Sequence, residues 1–147
     1  MKLNRVLVPF FLALFCSAYS ATAQTYVNQV YTQLQATYQS IRQLGTGLQL
    51  EKMVVNKVRD DTSDGWTFYF SSSKTYYIVG ACDNDCSDID LYVKRDGTSY
   101  NVAKDEDDDD KPVVSFKPSI SGKYQITMKM YNCTSTYCYQ GFSIYSK

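Results

Sequence analysis

The sequence contains no histidine, and that gap removes a large share of enzyme chemistry. Ser-His-Asp and Cys-His nucleophile systems, His-ligated zinc hydrolases and imidazole-based pH switches all need the missing ring. Net charge is lacking as well: 15 Lys and Arg balance 15 Asp and Glu. A chain without basic excess is a poor candidate for nucleic acid, whose phosphates are bound by Lys and Arg. The glycine motifs of nucleotide sites are missing too, since Gly45-Thr46-Gly47 is too short to count as one. What remains is an ordinary globular composition, with 44% apolar and 20% charged residues, five cysteines and 14 tyrosines in 147 positions. That is one domain with enough apolar material for a packed core.

Lys2 and Arg5 precede an apolar run from Val6 to Cys16, after which the chain turns small and polar through Ala21-Thr22-Ala23. This is the pattern of a secretory signal peptide over 1–23, with cleavage before Gln24. Phe15 occupies the place where a lipoprotein signal needs a small residue before the lipidated cysteine. The apolar run is about half of the ~20 residues that span a bilayer, so no transmembrane segment is expected after cleavage. The expected location is secreted or periplasmic. Removing residues 1–23 leaves Cys82, Cys86, Cys133 and Cys138 in two clusters, and thiols exported to an oxidising compartment pair. Short polar loops favour the local pairs Cys82 with Cys86 and Cys133 with Cys138. Pairing across the clusters and an all-thiolate zinc site are the competing readings.

Over residues 24–47, Val27, Val30, Tyr31, Leu34, Tyr38, Ile41 and Leu44 recur at spacings of three and four, which predicts an amphipathic helix stopped by Gly45-Thr46-Gly47. Its apolar stripe either packs on the following domain or docks on a partner as the anchor of an envelope assembly protein. From 48 to 147 the period changes to alternation broken by turns. Strands are expected near Leu48 to Val58, Trp66 to Ser71, Thr75 to Ala81, Ile89 to Arg95, Ser99 to Ala103, Val113 to Lys117, Gly122 to Met130 and Tyr139 to Tyr145. Eight short strands without intervening helices predict a mainly β, antiparallel sandwich preceded by one helix. Asp64-Gly65, Asp96-Gly97 and Ser121-Gly122 are read as turns that use glycine's tolerance of positive φ.

Between Asp83 and Asp110 there are 11 acids against Lys94, Arg95 and Lys104. Carboxylates this dense either stay solvated or are held together by a cation, and calcium accepts six to eight oxygens on irregular loops. Asp83, Asp85, Asp88, Asp90, Asp105 and Asp110 are the candidate ligands. The run from Asp83 to Asp90 lacks the glycine and glutamate of an EF-hand loop. A pair of these acids performing glycoside hydrolysis is the residual enzymatic reading, but a small sandwich has little room for a deep cleft, and the chain is read as non-catalytic. Tyr76, Tyr77, Tyr131, Tyr137 and Tyr139 are candidates for gripping a protein or polysaccharide partner, because a phenol offers a flat apolar face with a polar tip. Tyr131, Tyr137 and Tyr139 surround the second cysteine cluster.

The stretch from Tyr77 to Asp83, then Asp88-Ile89-Asp90-Leu91-Tyr92-Val93, Asp96-Gly97, Val113 to Pro118 and Ser121-Gly122-Lys123-Tyr124, resembles the bacterial pre-peptidase C-terminal domain. The resemblance covers about residues 48–147. It implies a jelly-roll-like sandwich, found as an accessory module on secreted proteases and, in some collagenase relatives, as a calcium-assisted collagen binder. Asp88 and Asp90 match the family motif. This chain departs from the pattern in having no attached catalytic domain, so a role in serving a peptidase in cis is not expected.

Overall fold

A computed structural model describes residues 17–147, with side chains from residue 24 onward; the charged and apolar parts of the expected export signal lie outside the described residues. One helix, α1 (Ser17–Gln43), is followed by eight strands: β1 (Gln49–Val58), β2 (Ser63–Phe70), β3 (Tyr76–Cys82), β4 (Cys86–Arg95), β5 (Asn101–Asp105), β6 (Val113–Phe116), β7 (Gly122–Cys133) and β8 (Cys138–Ser146). They form two antiparallel four-stranded sheets, in the orders β1-β8-β3-β6 and β2-β7-β4-β5. Successive strands therefore cross between sheets at every connection except β4 to β5, which gives the strand order of a jelly roll.

Alternation along the strands builds the core. Ile89, Leu91 and Val93 of β4 and Tyr124, Ile126, Met128 and Met130 of β7 are buried and meet Ile78, Phe142 and Ile144 of the facing sheet. Phe70 is the aromatic hub, with ring centroids at 4.5 Å from Tyr76, 5.3 Å from Phe116 and 5.8 Å from Tyr124. Tyr76 is therefore a core residue and not a free binding tyrosine.

The helix covers the outer face of the β1-β8-β3-β6 sheet. Val30 and Leu34 are fully buried there with Ala81, flanked by Met53, Val55 and Tyr139. Each such side chain contributes about 1.5–3 kcal/mol when removed from water. Packing, not an outside partner, thus accounts for the centre of the apolar stripe. Tyr31 and Leu44, expected on the same stripe, are 49% and 77% exposed, because Tyr31 lies off the contact line and Leu44 falls after the last helical turn. Gly45 and Gly47 have φ of 62° and 74°, which supplies the stop.

Two turn expectations are corrected. Asp64-Gly65 lies inside β2, where Asp64 Oδ2 accepts a hydrogen bond from Asn56 Nδ2 and a Cβ on Gly65 would meet Gln125 Nε2 at 2.7 Å. This glycine serves close packing against a neighbouring strand, while the turn itself comes earlier, at Asp61, with φ of 50°. Gly122 begins β7 without positive φ; of the three predicted turn glycines only Gly97, at 78°, uses it.

Candidate functional site

One end of the sandwich carries both disulfides. Three connections meet there: residues 59–62 between β1 and β2, 83–85 between β3 and β4, and 134–137 between β7 and β8. Disulfides close the second and third, Cys82 to Cys86 and Cys133 to Cys138, so the local pairing holds. Cys86 and Cys133 are register partners on β4 and β7, which sets the two bridges side by side. Three aspartates then stitch the loops. Asp60 Oδ1 accepts from Cys133 N at 2.8 Å, and Asp83 Oδ2 accepts from Tyr139 N at 2.7 Å while its Oδ1 accepts from Asp85 N at 3.2 Å. Asp85 accepts from Ser135 Oγ at 2.6 Å, and its carbonyl accepts from Thr134 N and Oγ1. Loops joined this way lose little conformational freedom when something binds to them.

On this braced end sit aromatic and cationic side chains. Tyr137 Oη accepts from Arg59 Nη2 at 3.0 Å, and Lys57 Nζ lies 3.9 Å from the same ring's centroid. The Arg59 guanidinium holds the Tyr137 phenol below its usual pKa. Lys129 Nζ stands 3.6 Å over the Tyr131 ring, which is 44% exposed. Tyr139 is turned away from these two, half-buried under the helix and stacked on Tyr26 at 6.4 Å. Tyr137, half-buried, is joined by Arg59 and Lys57, which sequence spacing did not connect to it, while the exposed Tyr131 is joined by Lys129. Arg59 lies 78 residues from Tyr137 and is brought to it by the antiparallel pairing of β1 with β8.

The six candidate metal ligands do not converge. Asp83 and Asp85 are engaged as loop caps. Asp105 Oδ2 accepts from Val113 N at 2.8 Å and Oδ1 from Asp107 N, while Asp110 pairs with Lys111 at 2.7 Å. Only Asp88 and Asp90 share a cavity, of about 230 Å³, whose other walls are Glu106, Asp108 and Tyr131. Among the described residues no three carboxylates or thiolates stand close enough to hold a metal ion as placed. Burial raises the pKa of Asp88, with Asp90, Asp108 and Asp109 adding repulsion; burial likewise raises that of Asp90, opposed by its 2.5 Å bond from Tyr92 Oη. The Oδ1 atom of Asp88 is buried and has no hydrogen-bond partner. Chemically this is a site of stored repulsion. It offers no activated nucleophile.

That repulsion has a measurable sign. An acid whose folded pKa is raised binds its proton more tightly in the native state, so its contribution is present below the unfolded value of about 3.9 and is lost as pH rises through the folded value. Glu51 and Glu106, lowered by Lys74 and Lys104, act oppositely, but their contribution is lost only as pH falls below the ordinary carboxylate range. Thermal midpoints are therefore expected to fall as pH rises from the ordinary carboxylate value through the raised folded values of Asp88 and Asp90. Asp88→Asn should flatten that slope and raise the midpoint at neutral pH. An unchanged slope in calorimetry would mean that the cavity is relaxed by solvent.

No protein-family model and no curated protein sequence matches the chain. Among solved structures it is similar to PliG from Aeromonas hydrophila, a periplasmic lysozyme inhibitor of g-type lysozyme, with a TM-score of 0.50 at 12% identity over 69% of this chain and 90% of that one. The sandwich architecture is thereby shared with an inhibitor. No family assignment supports the resemblance to the pre-peptidase C-terminal domain. Among the described residues no helix is long and apolar enough to cross a membrane.

Proposed function

We propose that this chain is an exported, non-catalytic binding protein of the inhibitor type, which engages an extracytoplasmic protein through the disulfide-braced end of its sandwich. The observation that carries the reading is the cluster of Tyr137, Arg59 and Lys57, set on two connections and the end of β1 at the point where two disulfides and three aspartates tie the loops together. Tyrosine and arginine on preorganised backbone are the residues that dominate protein interfaces, because they bury large area at small entropic cost. Similarity in fold to a lysozyme inhibitor supports the same class of activity, and two disulfides fit an oxidising compartment. The role of an accessory module, implied by the pre-peptidase C-terminal resemblance, is compatible with it. A protein is preferred to a polysaccharide as partner because both tyrosines already lie under cations, Tyr137 under Lys57 and Tyr131 under Lys129, which suits an acidic protein surface better than a neutral sugar ring.

The test is inhibition of a g-type lysozyme on cell-wall substrate, with a c-type enzyme alongside. Stoichiometric inhibition of either is expected. The double variant Arg59→Ala and Tyr137→Ala should weaken it at least ~30-fold, the ~2 kcal/mol of an interface hot spot. Full activity of both enzymes at tenfold molar excess of inhibitor would remove the inhibitor reading.

A second reading, specifically favoured by the orphaned Asp88 Oδ1, is weak calcium binding at the Asp88 and Asp90 cavity. Small movements of Glu106 and Asp108 would complete a set of oxygen ligands there. Thermal midpoints in EDTA and across a calcium series, with magnesium as control, test it: a saturable calcium-specific rise supports the site, and Asp88→Asn should abolish that rise.

A further inference from the structure

A sheet edge is a row of unpaired backbone donors and acceptors, and soluble proteins protect it with short strands, bulges, lysines or prolines. Three of the four edges here carry such devices. Strand β1 has a register shift between Leu50 and Lys52 and bears Lys52 and Lys57. Strand β5 has five residues and a register shift opposite Val93 and Lys94. Strand β6 has four residues and is bracketed by Pro112 and Pro118.

Strand β2 has no bulge, lysine or proline, and its one inward-facing charge, Asp64, lies near the start of its pairing with β7 and leaves the rest of the strand unguarded. It runs eight residues, pairs with β7 one to one along its whole length, and contains no lysine, arginine or proline. Its only charge, Asp64, is bonded to Asn56 of β1. Tyr69 on its outer side is 70% exposed, and Trp66 and Phe68 are only half-buried at the lateral opening beside β1, where their rings meet Phe142 at 5.2 and 6.1 Å.

We propose that β2 is a homodimer edge, pairing antiparallel with β2 of a second copy about a twofold axis at Thr67. The strand is self-complementary in that register, as an isologous contact requires. Thr67 faces Thr67, a favourable cross-strand pair, and Trp66 faces Phe68 of the second copy twice over. Tyr69 faces Gly65, where its ring would lie against the Gln125 side chain that covers the glycine. No like charges meet along the seam. An unrelated strand would gain the backbone bonds but not this reciprocal set of side-chain pairs. The two sheets that contain β2 become one continuous eight-stranded sheet, and the braced ends carrying Tyr137 stay free on each protomer.

Analytical ultracentrifugation of the disulfide-intact protein from 5 to 500 μM tests this directly. A concentration-dependent monomer to dimer transition is expected. Thr67→Lys, which sets two ammonium groups against each other, should weaken it at least tenfold, whereas Thr127→Lys on the same sheet face but away from the edge should leave it unchanged. Near-UV circular dichroism identifies any variant that has misfolded. Thr67→Cys provides a second reading on folded protein: oxidation should give a dimer covalently linked through residue 67. A monomer at every concentration overturns the proposal, as does a dimer indifferent to Thr67→Lys.

Discussion

Replacing Gly141 with valine is expected to lower stability by about 3 kcal/mol or more, and the thermal midpoint by roughly 10 °C. Gly141 lies in the middle of β8, directly under the helix. A Cβ placed on it would approach the Val54 carbonyl oxygen to 2.5 Å and Val30 Cγ1 to 3.0 Å. The first contact is with backbone of the paired strand, which cannot rotate away as a side chain does. The second is with one of the two fully buried residues that seat the helix. Relief therefore requires either shifting β1 against β8 or lifting α1 from the sheet. Calorimetry separates these: a single transition at lower temperature means a strained but intact fold, and an early loss of helical signal means an undocked helix. Stability equal to the parent protein would show that the helix is not held at this position.

Asp83→Ala should cost about 3 kcal/mol, since it orphans two backbone amides that the carboxylate now accepts. Asp83 is 2% exposed, and its bond to Tyr139 N ties the turn of the first disulfide to the start of β8. Burial raises its pKa in spite of those two amides, so the charged form is a compromise and not an optimum. Asparagine keeps one acceptor oxygen and removes the buried charge, so Asp83→Asn should lose only about 1 kcal/mol. The predicted order of urea midpoints is thus parent, Asp83→Asn, Asp83→Ala. Equal losses in the two variants would contradict the capping role.

The sequence revealed the architecture because its alternation was physically forced. Ile89, Leu91 and Val93 must share a face, and that face has only one place to go in a chain of this length. Strand ends were harder to read: β7 continues to Cys133 because Asp88 and Cys86 keep pairing with it past the point where alternation fades. Asp64-Gly65 looked like a turn since local chemistry favours one, but its in-register pairing with Met128 and Thr127 of β7 outweighed the preference. The acids were legible only in part, for a related reason. Density of charge along the chain predicts repulsion, yet it does not reveal which carboxylates will find backbone amides. Asp83 and Asp105 found them, Asp85 took the Ser135 hydroxyl, and the cavity was left to Asp88, Asp90, Glu106 and Asp108. A reader of the sequence had one available hint, because an aspartate two residues before another in a turn is placed to accept from that residue's amide. The pairing of Arg59 and Lys57 with Tyr137 had no local signal at all.

The central claim is that the braced end of the sandwich receives a protein partner. Hydrogen exchange followed by mass spectrometry, with and without saturating g-type lysozyme, tests it most directly. The account predicts slowed exchange confined to peptides covering residues 57–62 and 131–138, with the helix and residues 105–111 unchanged. Protection centred on the helix or on residues 105–111, with residues 57–62 and 131–138 exchanging as in the free protein, would contradict it.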